Sequence, residues 1–161
     1  MKITILVIVC IFLLLTSCRT DNSQELSKQD ISKIKKEIIN RVDQYFEAVK
    51  VLDIEEMVKY WSDSEDFIIA GDGKIIGGYK EWTDQQRAFA SITDHYIFWE
   101  NKNINVEVLS RNAACYTMEF NNGRISTSGD TLNTKGAWTY VFKKYNGDWK
   151  VIQTNGAHIE Y

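Results

Sequence analysis

His95 and His158 are the only histidines in the chain. Imidazole is the one side chain that titrates near neutral pH without help, so each is a natural general base or metal ligand. Neither stands in a cluster of acids and cysteines at ligand spacing, so no metal and no cofactor is expected. Asp66, which follows Asp63 and Glu65 in an acidic turn, is a second weak candidate for a base. The richer signal is aromatic: Tyr45, Trp61, Trp99, Tyr116, Trp138 and Tyr140 all fall on apolar stripes, and such a set lines a pocket with rings while its phenol and indole groups orient a ligand. Gln153 and Asn155 continue the alternation of Trp149 and Val151 along the last strand, which predicts that they share the inward face. Amides hold a ligand by hydrogen bonds but cannot act as acid or base at neutral pH. These residues point to binding more than to catalysis. Arg87 and Arg124 offer a guanidinium to an anionic ligand, although a surface ion pair is the commoner fate of an arginine.

The elements that must position these side chains are legible from periodicity. Residues 19–30 are polar and read as a tether, with disorder expected at least to Ser23. Ile31, Ile34, Ile38, Val42, Tyr45, Phe46 and Val49 recur at steps of three and four, which predicts a long first helix to about Val51 with a capping start at Ser27 and Asp30. Asp53 and Glu56 restart a short second helix carrying Met57, Tyr60 and Trp61. A hairpin around Gly71-Asp72-Gly73 follows, then a third helix opening at Thr83 and Gln86. Beyond Asp94 the texture is strand only, with a turn expected at Asn121-Asn122-Gly123, a polar loop from Ser126 to Asn133, and a closing hairpin at Asn146-Gly147. Three helices and four long antiparallel strands after a short hairpin make an α+β fold, a cone-shaped half-barrel with its helices on one face of a curved, mostly antiparallel sheet.

Several of these pieces resemble the nuclear-transport-factor-2-like superfamily, whose nearest look-alikes are its SnoaL-like and ketosteroid-isomerase-like members. They are Tyr45-Phe46 on the long helix, the Asp53-Ile54-Glu55 restart, Phe67 before Gly73-Lys74-Ile75-Ile76-Gly77-Gly78, and Tyr140-Val141-Phe142-Lys143-Lys144 with Gly147-Asp148-Trp149-Lys150-Val151-Ile152. The resemblance spans about Ser32 to Ala157. It implies a pocket at one mouth of the cone, and in isomerase-like relatives an aspartate base with a tyrosine and a neutral carboxylic acid as oxyanion hole. The parts at hand, Tyr45, Asp66 and Glu119, fit that pattern poorly: Glu119 alternates with Met118 and Phe120 and therefore faces solvent if they face the pocket. An isomerase, cyclase or dehydratase using His158 or Asp66 stays open as an alternative. So does a module that pairs two copies through the outer sheet face, where Cys115, Thr117 and Glu119 lie with Thr139 and Val141. A lipocalin barrel has no room for three helices beside eight strands.

The N-terminus supplies an address. Lys2 followed by the apolar run Ile3 to Leu15 has the form of an export signal, and as a helix the run reaches only roughly 20 Å against the roughly 30 Å of a bilayer core. It ends in Leu15-Thr16-Ser17-Cys18, which resembles the lipobox of bacterial lipoproteins. The implied division is a signal peptide at 1–17, a lipidated Cys18 with its tether at 18–30, and one domain at 31–161, held at the cell envelope on the periplasmic or extracellular side. A net charge of −3 with no basic block gives no footprint for nucleic acid. Cys115 is the one cysteine in the domain, so no internal disulfide is expected.

Overall fold

A computed structural model describes residues 25–161, and Cys18 with the signal and most of the tether lies outside the described residues. Helix α1 is Lys28–Lys50. Its start is a reciprocal cap: the Asp30 N–H donates to the Ser27 hydroxyl at 3.1 Å, and the Ser27 N–H donates to the Asp30 carboxylate at 3.3 Å. The last three residues of the expected tether therefore form the first helical turn. Ile34, Ile38, Val42, Tyr45, Phe46 and Val49 are all buried along one stripe. Glu37, on the flank of that stripe, accepts from Lys144 Nζ at 2.6 Å and from Trp149 Nε1 at 2.9 Å, which pins α1 to the closing hairpin and holds its carboxyl below the usual range. Leu52 turns the chain with φ 56°, and Asp53 then caps α2, Ile54–Val58, by accepting the Glu56 N–H at 3.1 Å. Met57, Tyr60 and Trp61 are buried as their spacing predicts.

Strands β1 (Ile68–Gly71) and β2 (Lys74–Gly77) form the short hairpin. Asp72 and Gly73 both take positive φ, 50° and 82°, as a two-residue turn matching the twist of the strands requires. Helix α3, Tyr79–Ser91, begins earlier than Thr83. The Gly78 N–H donates to the Glu81 carboxylate at 3.1 Å, and Thr83 lies inside the helix, donating its hydroxyl to the Lys80 carbonyl at 3.1 Å. The Thr83 and Gln86 spacing imitates a cap, but the chain is already helical when it reaches them.

The long strands are β3 (Thr93–Ser110), β4 (Ala113–Ser126), β5 (Thr131–Tyr145) and β6 (Asp148–Glu160). The sheet order is β2-β1-β6-β5-β4-β3, antiparallel throughout except that β1 runs parallel to β6. With three helices laid on one face of this open six-stranded sheet, the architecture is the α+β half-barrel that the sequence predicts. Asn146 and Gly147 make the closing turn at φ 50° and 99°. Asn121-Asn122-Gly123 does not turn: the triplet lies inside β4, paired with Glu100, Trp99 and Phe98 on one side and with Lys135, Thr134 and Asn133 on the other. Two flanking ladders hold it extended, and the reversal expected there falls instead at residues 127–130, between β4 and β5, inside the polar loop that the sequence predicts. Among the described residues no helix is long and apolar enough to cross a membrane.

Two bulges decide which side chains face the helices. On β6, Val151 pairs with Phe142 and Gln153 pairs with Val141, so Ile152 has no partner of its own. The extra residue reverses the alternation. Thr154 becomes the buried successor of Trp149 and Val151, while Gln153 and Asn155 are exposed on the outer face. On β3, Tyr96 pairs with Arg124 and Phe98 with Gly123, which leaves Ile97 as the extra residue. Tyr96 and Trp99 both turn inward, and Ile97 and Phe98 are exposed.

Candidate functional site

The helices do not fill the concave face of the sheet. A cavity of about 390 Å³ remains between α1, α2, α3 and the inner faces of β3 to β6. Its floor is a ring cluster organised by Trp61, whose indole lies 5.3 Å from Tyr45, 5.4 Å from Trp82 and 5.9 Å from Tyr140, each in an edge-to-face arrangement. Such contacts fix ring orientation as well as burying area. The Tyr45 hydroxyl donates to Gln86 Oε1 at 3.2 Å. Burial raises the Tyr45 and Tyr140 phenols and pushes Tyr96 up to about 12, so all three remain protonated at neutral pH and serve as donors, never as bases.

The side wall is aromatic as well. Trp99 stacks on Phe120 at 5.9 Å and donates its indole N–H to Asn101 Oδ1 at 2.8 Å. Trp138 donates to the Thr154 hydroxyl, which in turn donates to the Thr139 carbonyl at 2.9 Å. This chain exists because the bulge at Ile152 brings Thr154 inward. Gly156 lies opposite Trp138 in the ladder, and a Cβ there would stand 2.3 Å from the indole. The absence of a side chain at Gly156 lets the ring lie against β6.

Polar groups gather at the mouth. His158 Nδ1 is 2.9 Å from Asp72 Oδ2, and the His158 N–H donates to Asp72 Oδ1, also at 2.9 Å. Parallel pairing of β1 with β6 carries the Asp72 turn to the end of the last strand, and an aspartate that accepts from an imidazole orients its ring. Both side chains are partly solvent-exposed. Arg124, only 7% exposed, also borders the cavity, with its guanidinium 4.4 Å from the Phe89 ring centre. No group of three or more His, Cys, Asp or Glu side chains able to hold a metal occurs among the described residues.

The cavity thus brings together Tyr45, Trp61, Trp99, Trp138, Tyr140 and His158 from the sequence-derived candidates. Tyr116 is buried behind Tyr140, the rings 6.2 Å apart, and belongs to the core below the wall. Gln153 and Asn155 point away, for the bulge reverses their phase. Asp66 sits exposed in its acidic turn and does not border the cavity. The residues that sequence reasoning missed as site members include Asp72, Asn122, Trp82 and Gln86. Asp72 and Asn122 were hidden by their turn-like contexts, whereas the helical phase of Trp82 and Gln86 was a usable signal once α3 is started at Tyr79.

Comparison with known proteins agrees with this architecture. A nuclear-transport-factor-2-like superfamily protein from Salmonella enterica serovar Typhimurium superposes with a TM-score of 0.69 at 15% identity, over 78% of this chain and 91% of that one. The hexachlorocyclohexane dehydrochlorinase LinA-type3 from Novosphingobium barchaimii gives 0.65 at 15% identity, over 81% and 89%. A ketosteroid isomerase-like protein from Erwinia carotovora gives 0.63 at 17% identity, over 77% and 95%. At these identities the likeness is one of fold. No curated protein sequence matches the chain significantly. The SnoaL-like domain profile matches residues 38–157, from the middle of α1 almost to the end of β6, and the chain belongs to that family.

Proposed function

We propose that this protein is an exported binding protein, tethered to the bacterial envelope by lipid on Cys18, that holds a small apolar or amphipathic molecule in its cone. The observation that carries the reading is the cavity of about 390 Å³, with a floor and side wall rich in aromatic rings and a polar mouth. A fully packed core would leave no such space at this position. The neighbours in fold include proteins named for dehydrochlorinase and isomerase-like activities, which supports a small molecule as the partner of this fold.

Two measurements on the full chain test the two halves of the proposal. Calorimetric titration with 2-naphthylmethanol, a neutral two-ring probe, should give a dissociation constant in the micromolar range or tighter, on the order of −8 kcal/mol; no detectable heat at millimolar concentrations of this alcohol or of its carboxylate analogue would remove the binding half. In bacteria, metabolic labelling with a palmitate analogue should mark the protein, and Cys18→Ala should abolish the label and release the protein from the membrane fraction. Equal membrane association of the two forms would remove the anchor.

One observation favours a second reading, proton transfer at the mouth. The His158 and Asp72 pair borders the cavity and has the geometry of an oriented general base. An isomerase, cyclase or dehydratase reaction would then run through His158 Nε2, and a turnover measured with any substrate that survives His158→Gln unchanged would eliminate it.

A further inference from the structure

We propose that the ligand is an organic monoanion of the carboxylate class, seated with its charged group on Arg124 and its apolar body on the Trp61 and Tyr140 rings. The inference rests on the binding reading above and adds the chemistry of the ligand's head group.

Arg124 is buried, yet its guanidinium has little to bind. Its one side-chain hydrogen bond among the described residues goes to Thr93 Oγ1 at a long 3.4 Å, and the face of Phe89 lies against it. Among the described residues no carboxylate lies within ion-pairing distance of it; Glu160, which also borders the cavity, makes no such pair. The contrast with the other arginines among the described residues is direct. Arg87 pairs with Glu55 at 2.7 Å, Arg111 with Asp30 at 3.2 Å, and Arg41 donates to two backbone carbonyls at 3.0 and 3.3 Å. A guanidinium carries five donors in a planar fork, and burying a charge without an anion is costly. The fold accepts that cost at a position bordering an open cavity, where an incoming anion has access to the unused donors.

The surroundings define the anion further. Asn122 lies two residues along the same inner face, 5% exposed and also bordering the cavity, so its amide can donate beside the guanidinium. One fork and one amide match the two oxygens of a carboxylate, which Arg binds in bidentate fashion. The face of Phe89 holds the guanidinium plane from the other side, as cation–π contact does, and limits its rotation. Arg124 and Asn122 are themselves 7% and 5% exposed, so salt screens an anion seated between them less than it would at the surface.

The test is calorimetric titration of the full chain with naphthalene-2-carboxylate and, in parallel, 2-naphthylmethanol, which has the same rings and no charge. The wild type should bind the carboxylate at least roughly tenfold more tightly than the alcohol, the scale of a charge-assisted bidentate contact. Arg124→Met should bind the two probes equally, keep the affinity for the alcohol within about twofold, and melt no lower than the wild type, because it removes a buried charge that has no anion in the empty protein. Arg124→Lys should retain part of the preference, since it keeps the charge and loses the fork. Equal affinity of the wild type for both probes would overturn the inference, as would a carboxylate preference that persists in Arg124→Met. If Arg124→Met does not fold, the wild-type preference together with its reduction in Arg124→Lys decides the matter. Failure of both probes to bind would overturn the cavity-binding reading itself, and this inference with it.

Discussion

Trp61→Ala should lower stability by about 3–5 kcal/mol, the range for removing a large buried aromatic, and should drop the melting temperature by on the order of 10–20 °C. Trp61 is 2% exposed and its ring touches Tyr45, Tyr60, Phe67, Trp82 and Tyr140, with centroids 4.9 to 6.0 Å apart. These partners come from α1, from the segment after α2, from the turn before β1, from α3 and from β5, so one truncation loosens the contacts of α1 and α3 with the sheet. A domain of this size is stable by only about 5–15 kcal/mol, and the loss is a large share of it. Trp61→Phe should cost far less. It keeps a ring in the cluster, and it also removes an indole N–H that is buried with no hydrogen-bond partner among the described residues. Thermal denaturation followed by circular dichroism separates the two variants. A Trp61→Ala protein that melts within a few degrees of the wild type would show that the cluster repacks without its centre.

Gly156→Val should abolish binding of 2-naphthylmethanol and destabilise the domain by about 1–3 kcal/mol, the usual cost of overpacking. A Cβ at position 156 meets Trp138 Cε3 at 2.3 Å and the Ala137 carbonyl oxygen at 2.5 Å. The two overlaps relax separately: the indole must swing off β6, and the β5 and β6 ladder must also shift locally at Ala137, which places the cost at the upper end of that range. The adjacent open space is the cavity, and a Trp138 displaced into it occupies the ligand's place while giving up its hydrogen bond to Thr154. Gly156→Ala should show the same changes in weaker form, because the two added methyl groups are missing. Calorimetry with the neutral probe and a melting curve measure both effects. Wild-type affinity in Gly156→Val would mean that Trp138 moves outward and that the cavity does not depend on its seat.

Much of this molecule is written in short-range pattern. The caps at Ser27 and Asp53, the stripe from Ile34 to Val49 and the turn at Asn146-Gly147 depend on residues within a few positions of each other, and each forms where the pattern indicates. Most of the aromatic lining is legible for the same reason: Tyr45 is placed by helical phase, and Trp138 and Tyr140 by strand phase within one uninterrupted run, whereas Trp61 lies past the end of α2 and is placed by its bridge to Val151. The misplacements share a cause. Asn121-Asn122-Gly123 carries the composition of a turn, yet ladders on both sides override it. Gln153 and Asn155 follow a correct alternation up to Val151 and a reversed one beyond it, because one unpaired residue at Ile152 is invisible in composition and decisive in register.

By itself the sequence determined the elements, their order, the α+β class and the aromatic character of the interior, since these follow from periodicity and capping that the chain satisfies locally. Only the tertiary structure decided what the mouth of the cone contains. Asp72 and His158 are 86 residues apart and meet because β1 runs parallel to β6. Arg124 is buried without an anion because α3 brings Phe89 over it while the rest of the cone stays open. Which face of β6 looks inward turns on a single bulge. Each of these depends on a partner distant in sequence, and the energy that selects it, a ladder hydrogen bond or a buried contact, exists only once that partner has arrived.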